Sequence, residues 1–393
     1  MISLNTNILL NNNFHNKNQK QIAFKGYAAC PIKALYMQYP RHYQEGTFSV
    51  FKELHKIGLR EKFEVFFQTG IELCKIPSLS DVEIRINKSR KKSRLFHEKP
   101  WSQDDKMFIL DKDGKEILLL EPSEYIVPEQ IDIPHKEMPF QIEGGNIYIG
   151  KKSNGETYAI IGENSLYTRP NYVHQVTINN SPLIEKELNI KSENIHGFTQ
   201  PCFHIDMSIR PLKGNDILVN DYDTTVNILE EHRTKQTSVK IDELINNIKL
   251  LPFLKNTKKI QSELESTGFT VIKIPGVIRN TNGDYSDSEN ANFMNAIIHQ
   301  RENGDLVYIT NHCDLNPNVY GVDFNKMFES YLRKIPYIKQ IDFIKGSTPP
   351  TRSNHSTHNK NKTEENFISY SLRNLKGGVH CMIAERPNFE KWV

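Results

Sequence analysis

Two short apolar runs joined by a polar turn that contains glycine recur four times along this chain. They are MFILDKDGKEILLL around Gly114, NIYIGKKSNGETYAII around Gly155, IDMSIRPLKGNDILV around Gly214 and NAIIHQRENGDLVYIT around Gly304. Each predicts a β-hairpin, because a glycine between apolar runs supplies the positive φ that a tight turn requires. Helical spacing of apolar residues appears in IDELINNIKLL, TKKIQSELESTGF and DFNKMFESYLRKI, and TVIKIPG and IKQIDFI read as further strands. Near the start, KALYMQY, GTFSVFKELHKIG and KFEVFFQ give a strand, a helix and a strand. A hairpin, a helix and another strand make one module, repeated, and MIAERP at 382–387 marks where a fifth would lie.

The polar residues at the module entrances add a second regularity. Asp104 and Asp105 precede the first hairpin, Glu143 the second, and His204 with Asp206 open the third. Asn292 and Asn295 open the fourth, and His380 with Cys381 precede MIAERP. Modules set around an axis like propeller blades bring equivalent ends to one centre, so residues far apart in sequence meet there. The pattern therefore predicts an α/β fold of five pseudo-symmetric modules. Within HID, strand alternation places His204 and Asp206 on one face. The same alternation turns His380 away from the side that Cys381 faces.

Composition narrows the class of protein. At 393 residues with 37% hydrophobic and 25% charged residues, the chain reads as folded and water-soluble. No apolar run approaches the roughly 20 residues that span a bilayer, and the start of the chain offers only ILL where a signal peptide needs a longer apolar core. The expectation is a cytoplasmic protein without a membrane partner, with a disordered tail over residues 1–25 and one catalytic domain over 26–393. Fifty basic against 47 acidic residues leave +3, too balanced for nucleic acid to be the main partner; KSRKKSR at 88–94 is read as a solvated loop. The five cysteines, Cys30, Cys74, Cys202, Cys313 and Cys381, are odd in number and form no Cys-x-x-Cys pair. That argues against a disulfide framework and a structural zinc site.

Taken singly, WSQDD (101–105), IEGGN (142–146), HID (204–206) and GGVHC (377–381) could each be a turn or a structural pair. Together they put carboxylates, an imidazole and a thiol at equivalent module entrances. Carboxylates pair with a planar guanidinium through parallel hydrogen bonds. A thiolate can attack its electron-poor central carbon while a histidine protonates the departing amine.

These four motifs, in this order and spacing, resemble those of the guanidine-modifying enzymes, the pentein superfamily of arginine, agmatine and peptidylarginine deiminases and amidinotransferases. The resemblance spans Trp101 to Pro387 and implies a five-module α/β propeller. It also implies roles: Cys381 as nucleophile, His204 as general acid/base and Glu143 as the acid that orients or charges that histidine. Asp104 and Asp206 would grip opposite edges of the guanidinium, with Trp101 beside them. The implied reaction is hydrolysis of the guanidinium of arginine, a peptidyl-arginine or agmatine to a ureido product and ammonia through a covalent Cys amidino-thioether. The partner is then a small guanidino compound or a protein arginine, and no cofactor is required.

The motifs divide among subfamilies, so substrate and oligomeric state stay open. WSQDD sits closest to peptidylarginine deiminases, EGGN and GGVHC to the enzymes of agmatine and free arginine, and an amidinotransferase would use the same residue types. Arg210 and Arg169 are candidates for holding a substrate carboxylate. Calcium would need oxygen ligands such as Gln103 and Asp105, but no EF-hand spacing is present, and no metal is expected. A zinc enzyme built on His204, Asp206, His380 and Cys381 and a non-catalytic binding protein are the alternatives from other classes. The polar stretch at 347–366 could be a lid over the site or an inert insertion.

Overall fold

The computed structural model describes residues 26–38, 44–68, 73–74, 106–111, 113–120, 133–138, 142, 144–163, 167–168, 178–201, 204–250, 253–276, 292–346, 367–372 and 378–392. The expected tail at 1–25, the basic cluster at 88–94 and the stretch at 347–366 lie outside these residues. The chain opens with β1 (Gly26–Tyr27), β2 (Ile32–Gln38), α1 (Gln44–Glu61), β3 (Glu64–Gln68) and β4 (Leu73–Cys74). There follow β5 (Lys106–Leu110), β6 (Glu116–Leu120), β7 (His135–Glu137), β8 (Ile147–Lys151), β9 (Thr157–Gly162), β10 (Tyr167–Thr168) and β11 (Ile178–Asn179). Next come α2 (Ser181–Leu188), β12 (Ile195–Phe198), β13 (Ile209–Pro211), β14 (Asp216–Asn220), α3 (Tyr222–Glu231), α4 (Ser238–Leu250), α5 (Phe253–Ser266) and β15 (Thr270–Ile274). The last part holds β16 (Ile297–Gln300), β17 (Leu306–Asn311), α6 (Pro317–Tyr320), α7 (Phe324–Leu332), β18 (Ile338–Ile344), α8 (Phe367–Tyr370) and β19 (Ile383–Pro387).

One pairing rule organises these strands. An antiparallel pair is extended by a third strand parallel to its second member, as in β5-β6-β7, β8-β9-β12, β13-β14-β15 and β16-β17-β18. The antiparallel pairs are the four expected hairpins, and Gly114, Gly155, Gly214 and Gly304 all have positive φ, between 64° and 85°. Three of the turns repeat the same two backbone bonds. In the first, Asp111 N–H donates to Lys115 O and Gly114 N–H to Asp111 O, and the pairs Lys152–Glu156 with Gly155 and Arg301–Asp305 with Gly304 copy it. This is a three-residue loop with its left-handed position at glycine. Parallel third strands require a crossover, and helices such as α5 before β15 and α7 before β18 supply it.

The fifth module is assembled from both ends of the described chain. β19 pairs antiparallel with β2, from Ile383 opposite Met37 to Pro387 opposite Ile32, and β2 pairs parallel with β3. The segment that follows GGVHC therefore provides the first strand of a hairpin whose second strand lies some 350 positions earlier, and Asn388 N–H donating to Pro31 O seals the junction.

Burial follows from this layering. All residues of β5, β9 and β17 are buried; Tyr158 and Ile160 of β9, for example, share one cluster with Ile217 and Val219 of β14 and with Ile260 and Leu264 of α5. α7 shows how a helix is fitted to that role. Asp323 caps it by accepting from Lys326 N–H, and Phe324, Phe328 and Leu332, spaced by four, form its buried face. Phe328 stacks on Phe293 at 4.3 Å, just ahead of β16. Each such side chain contributes about 1.5–3 kcal/mol on burial, and it does so only when neighbouring modules are in place.

Candidate active site

The ends of the modules opposite the glycine turns are joined by asparagine side chains. Asn146, just before β8, accepts through Oδ1 from Ile205 N–H of the next module at 3.0 Å. Asn292 Nδ2, before β16, donates back to Met207 O at 3.2 Å. Asn295 Oδ1 accepts from His380 N–H at 3.0 Å, and Asn311 Oδ1, at the end of β17, accepts from Val379 N–H at 2.8 Å. Four modules thus meet through side chains that can donate and accept at once, which is what buried backbone at a strand end needs. Burial of Asn146, Asn292, Asn295 and Asn311 is nearly complete.

Cys381, Asp206 and His204 come together here. One ligand-type atom from each lies within 4.8 Å of the others, and all three residues are buried. Cys381 Sγ is 3.7 Å from Asp206 Oδ2. Asn295 Nδ2 donates to both, at 2.7 Å to Asp206 Oδ2 and 3.1 Å to the sulfur. Asp206 Oδ1 is buried and makes no hydrogen bond among the described residues. One oxygen of this carboxylate is therefore held by Asn295, and the other makes no such bond among the described residues. Asn295 was visible in the sequence only as an entrance residue of the fourth module; nothing there signalled that its amide would bridge the thiol and the acid.

The local backbone differs from the expectation at both motifs. His204 is extended, but Ile205–Met207 form a single 3-10 turn, so Asp206 reaches Cys381 by a tight turn rather than by strand alternation. Residues 379–382 are likewise a turn, closed by Ile383 N–H donating to His380 O. The expectation that His380 points away is corrected: its Nδ1 lies 2.9 Å from Asp206 Oδ2, the same oxygen that Cys381 approaches. Two glycines give the room. A Cβ on Gly145 would stand 2.3 Å from His204 Nδ1, and one on Gly378 would stand 2.5 and 2.6 Å from the amide oxygens of Asn311 and Asn295.

Beneath this pair lies a buried ionic layer. Arg210, wholly buried, donates from Nη1 to Tyr148 Oη at 3.3 Å, from Nη2 to Tyr27 O at 2.9 Å, and stands with Nη1 3.0 Å from His380 Nε2. Glu385 Oε1 is 3.7 Å from Arg210 Nη2, and Glu385 Oε2 accepts from Tyr27 N–H. Burial pushes the Glu385 carboxyl up from its usual range, while the Arg210 guanidinium and the Tyr27 N–H oppose that shift. Arg210 is thus spent inside the protein, and its reading as a clamp for a substrate carboxylate is corrected. Arg169, Trp101, Gln103, Asp104, Asp105, Glu143 and Cys202 lie outside the described residues.

His204, Asp206 and Cys381 are also the donor set of a three-ligand metal site. The amide hydrogens of Asn295 point at the sulfur and at Asp206 Oδ2, the lone pairs that a metal would need, and His380 has both ring nitrogens engaged.

No family model matches the sequence, and no curated protein does. Solved structures do match. A C. jejuni agmatine deiminase aligns over 93% of this chain and 97% of its own, with TM-score 0.55 at 14% identity. A Porphyromonas gingivalis protein described as a candidate arginine deiminase aligns over 93% and 98%, with TM-score 0.55 at 12% identity. An agmatine deiminase of Enterococcus faecalis aligns over 93% and 96%, with TM-score 0.51 at 11% identity. With five modules of one pairing rule closed by β19 on β2, the chain has the pentein fold, the α/β propeller of guanidine-modifying enzymes. Among the described residues no helix is long and apolar enough to cross a membrane.

Proposed function

We propose that the protein is a guanidine iminohydrolase in which Cys381 attacks the guanidinium carbon of its substrate. The observation that carries this reading is Asp206, a buried carboxylate with one oxygen bonded by Asn295 and His380, the other unbonded among the described residues, and a thiol 3.7 Å away. A guanidinium that donates to Asp206 Oδ1 brings its central carbon beside Cys381 Sγ. It also brings the charge that the sulfur needs, since a carboxylate alone beside Sγ opposes a second negative charge.

In the proposed sequence the thiolate forms a C–S bond to the guanidinium carbon, and His204 gives a proton to the amine that leaves as ammonia. His204 then takes a proton from water, whose oxygen bonds to the same carbon. The C–S bond breaks, the electron pair returns to sulfur, and a ureido product is released. Glu143 is proposed to orient His204, Asp104 to hold the far edge of the guanidinium and Trp101 to line it, on the strength of their motifs. Substrates of this chemistry are agmatine, free arginine and a peptidyl-arginine. An amidinotransferase would share the first half and pass the amidino group to an amine.

The test is a panel of agmatine, arginine and an arginine peptide, with and without glycine as acceptor, assayed for ureido product, ammonia and transferred amidino group. Ureido product from one member, lost in Cys381→Ser, is expected. No product from any member and no transfer would overturn the reading, as would stoichiometric zinc whose removal abolishes activity.

A further inference from the structure

Arginine has no hydrogen-bond acceptor, so whatever it touches at bonding distance must present a lone pair. That rule fixes a proton in the layer beneath the site. Arg210 Nη1 is 3.0 Å from His380 Nε2, and on the other side of the ring His380 Nδ1 is 2.9 Å from Asp206 Oδ2. With Nε2 bound to supply a lone pair to Arg210, the ring proton sits on Nδ1 and is donated to the carboxylate. The other tautomer, or a ring protonated on both nitrogens, sets two N–H groups against each other across 3.0 Å.

We propose that Arg210 is a positioning residue that acts through His380: by fixing the imidazole as the Nδ1–H tautomer, it aims Asp206 so that Oδ1 meets the substrate cation. Asp206 Oδ2 receives two donors, His380 Nδ1 and Asn295 Nδ2, and a carboxylate pinned twice at one oxygen cannot rotate. If His380 carried its proton on Nε2, a lone pair would face Asp206 and push the carboxylate out of place. The inference rests on the hydrolase reading for its consequence in catalysis, though not for the tautomer itself.

Two further groups stand against the ring among the described residues. Tyr148 stacks on it at 5.7 Å with its hydroxyl toward Arg210, and Glu385 Oε1 is 3.9 Å from Nε2, outside bonding distance and farther than Arg210. Arg210 is itself held by Tyr27 O and by the face of the Tyr148 ring, 5.0 Å from the guanidinium carbon. The arrangement therefore has one direction, from Arg210 through His380 to Asp206.

Two measurements test it. Proton–nitrogen NMR of histidine-labelled protein, with His380 assigned by its absence in His380→Asn, is expected to show the Nδ1–H tautomer; an Nε2–H tautomer overturns the proposal whatever the activity. The second is a double-mutant cycle on KM. His380→Leu should raise KM at least about tenfold, the scale of one charge-assisted bond, and His380→Asn, whose amide can donate from the Nδ1 position, should restore most of it. Arg210→Gln should raise KM by about tenfold beside His380 but by less than about twofold in the His380→Asn background. An equal cost in both backgrounds means that Arg210 only supports packing, and the proposal fails. If Arg210→Gln does not fold, the wild-type tautomer and the His380 pair still decide. Absence of ureido product from the wild type is a separate outcome, which strikes the hydrolase reading and leaves the tautomer standing or falling on the NMR result.

Discussion

Glycine serves opposite purposes at the two ends of the modules. At the outer turns, Gly155 and Gly304 sit at φ of 85° and 83°, and a Cβ on Gly155 would meet nothing within 4 Å. Near the candidate site, Gly145 and Gly378 occupy places where a Cβ would strike His204 or two asparagine amides within 2.7 Å. The outer glycines answer a local backbone need, and the inner ones make room for side chains that arrive from other modules. Stability at one end is therefore a matter of a few neighbouring residues, whereas at the other it depends on how four modules meet.

The largest effect should come from Asp206→Asn. The amide has nearly the same shape, but it replaces a charge that accepts from Asn295 and His380 and is proposed to face a cation. Removing one partner of a buried, hydrogen-bonded charge pair costs about 3–5 kcal/mol, so kcat/KM should fall roughly 10²- to 10⁴-fold, and the melting temperature should fall as well because Asn295 and His380 lose the same partner. A fall below tenfold in steady-state kinetics would mean that the carboxylate does not meet the substrate.

Next come Gly378→Ala and Gly145→Ala. The amides of Asn295 and Asn311 cannot yield without releasing His380 N–H, Val379 N–H or Cys381 Sγ. Gly378→Ala should therefore cost about 1–3 kcal/mol and at least about tenfold in kcat. Gly145→Ala, which displaces the His204 ring, should lower kcat with a smaller loss in melting temperature. Gly155→Ala should behave differently, with about 1 kcal/mol lost to the left-handed backbone and kcat/KM unchanged. Calorimetry beside kinetics on the three variants would break the comparison if Gly155→Ala impaired turnover or Gly378→Ala spared it.

The same division governs what could be read from sequence. The outer turns were legible because glycine, strand alternation and turn polarity all act within about ten residues, and all four hairpins form as expected. The fifth pairing was legible only as a strand at MIAERP, since its partner β2 lies at the far end of the described chain. At the site, residue types pointed to Cys381, His204 and Asp206, but period-two reasoning failed where the chain turns. It missed that His380 and Cys381 both approach Asp206, and that Arg210 is enclosed beneath them. Asn295 stood out only as an entrance residue, because its role as a bridge between thiol and acid exists only once two other modules are docked.

Ion pairs at the outer end offer the mildest test. Glu61, at the end of α1, accepts from Arg301 Nε and Nη2 at 2.7 and 2.8 Å and from Arg60 Nε at 2.6 Å, joining the fifth module to the turn of the β16–β17 hairpin. Arg301 foremost, against some desolvation and with help from Arg60, lowers the Glu61 carboxyl from 4.5 to about 2. Because the folded value lies below the unfolded one, the contribution is complete above the unfolded value and disappears as pH falls through about 2. Arg60 and Arg301 are partly exposed, so the contribution is on the order of 1 kcal/mol or less. Glu61→Gln should thus melt about a degree below wild type near neutral pH, with the gap closing as the pH is lowered through the range between the two values. Turnover should stay unchanged at neutral pH, since the pair sits at the turn end. A gap that persisted at low pH would show that Glu61 acts by packing, and a loss of turnover would show that the two ends of the module are coupled.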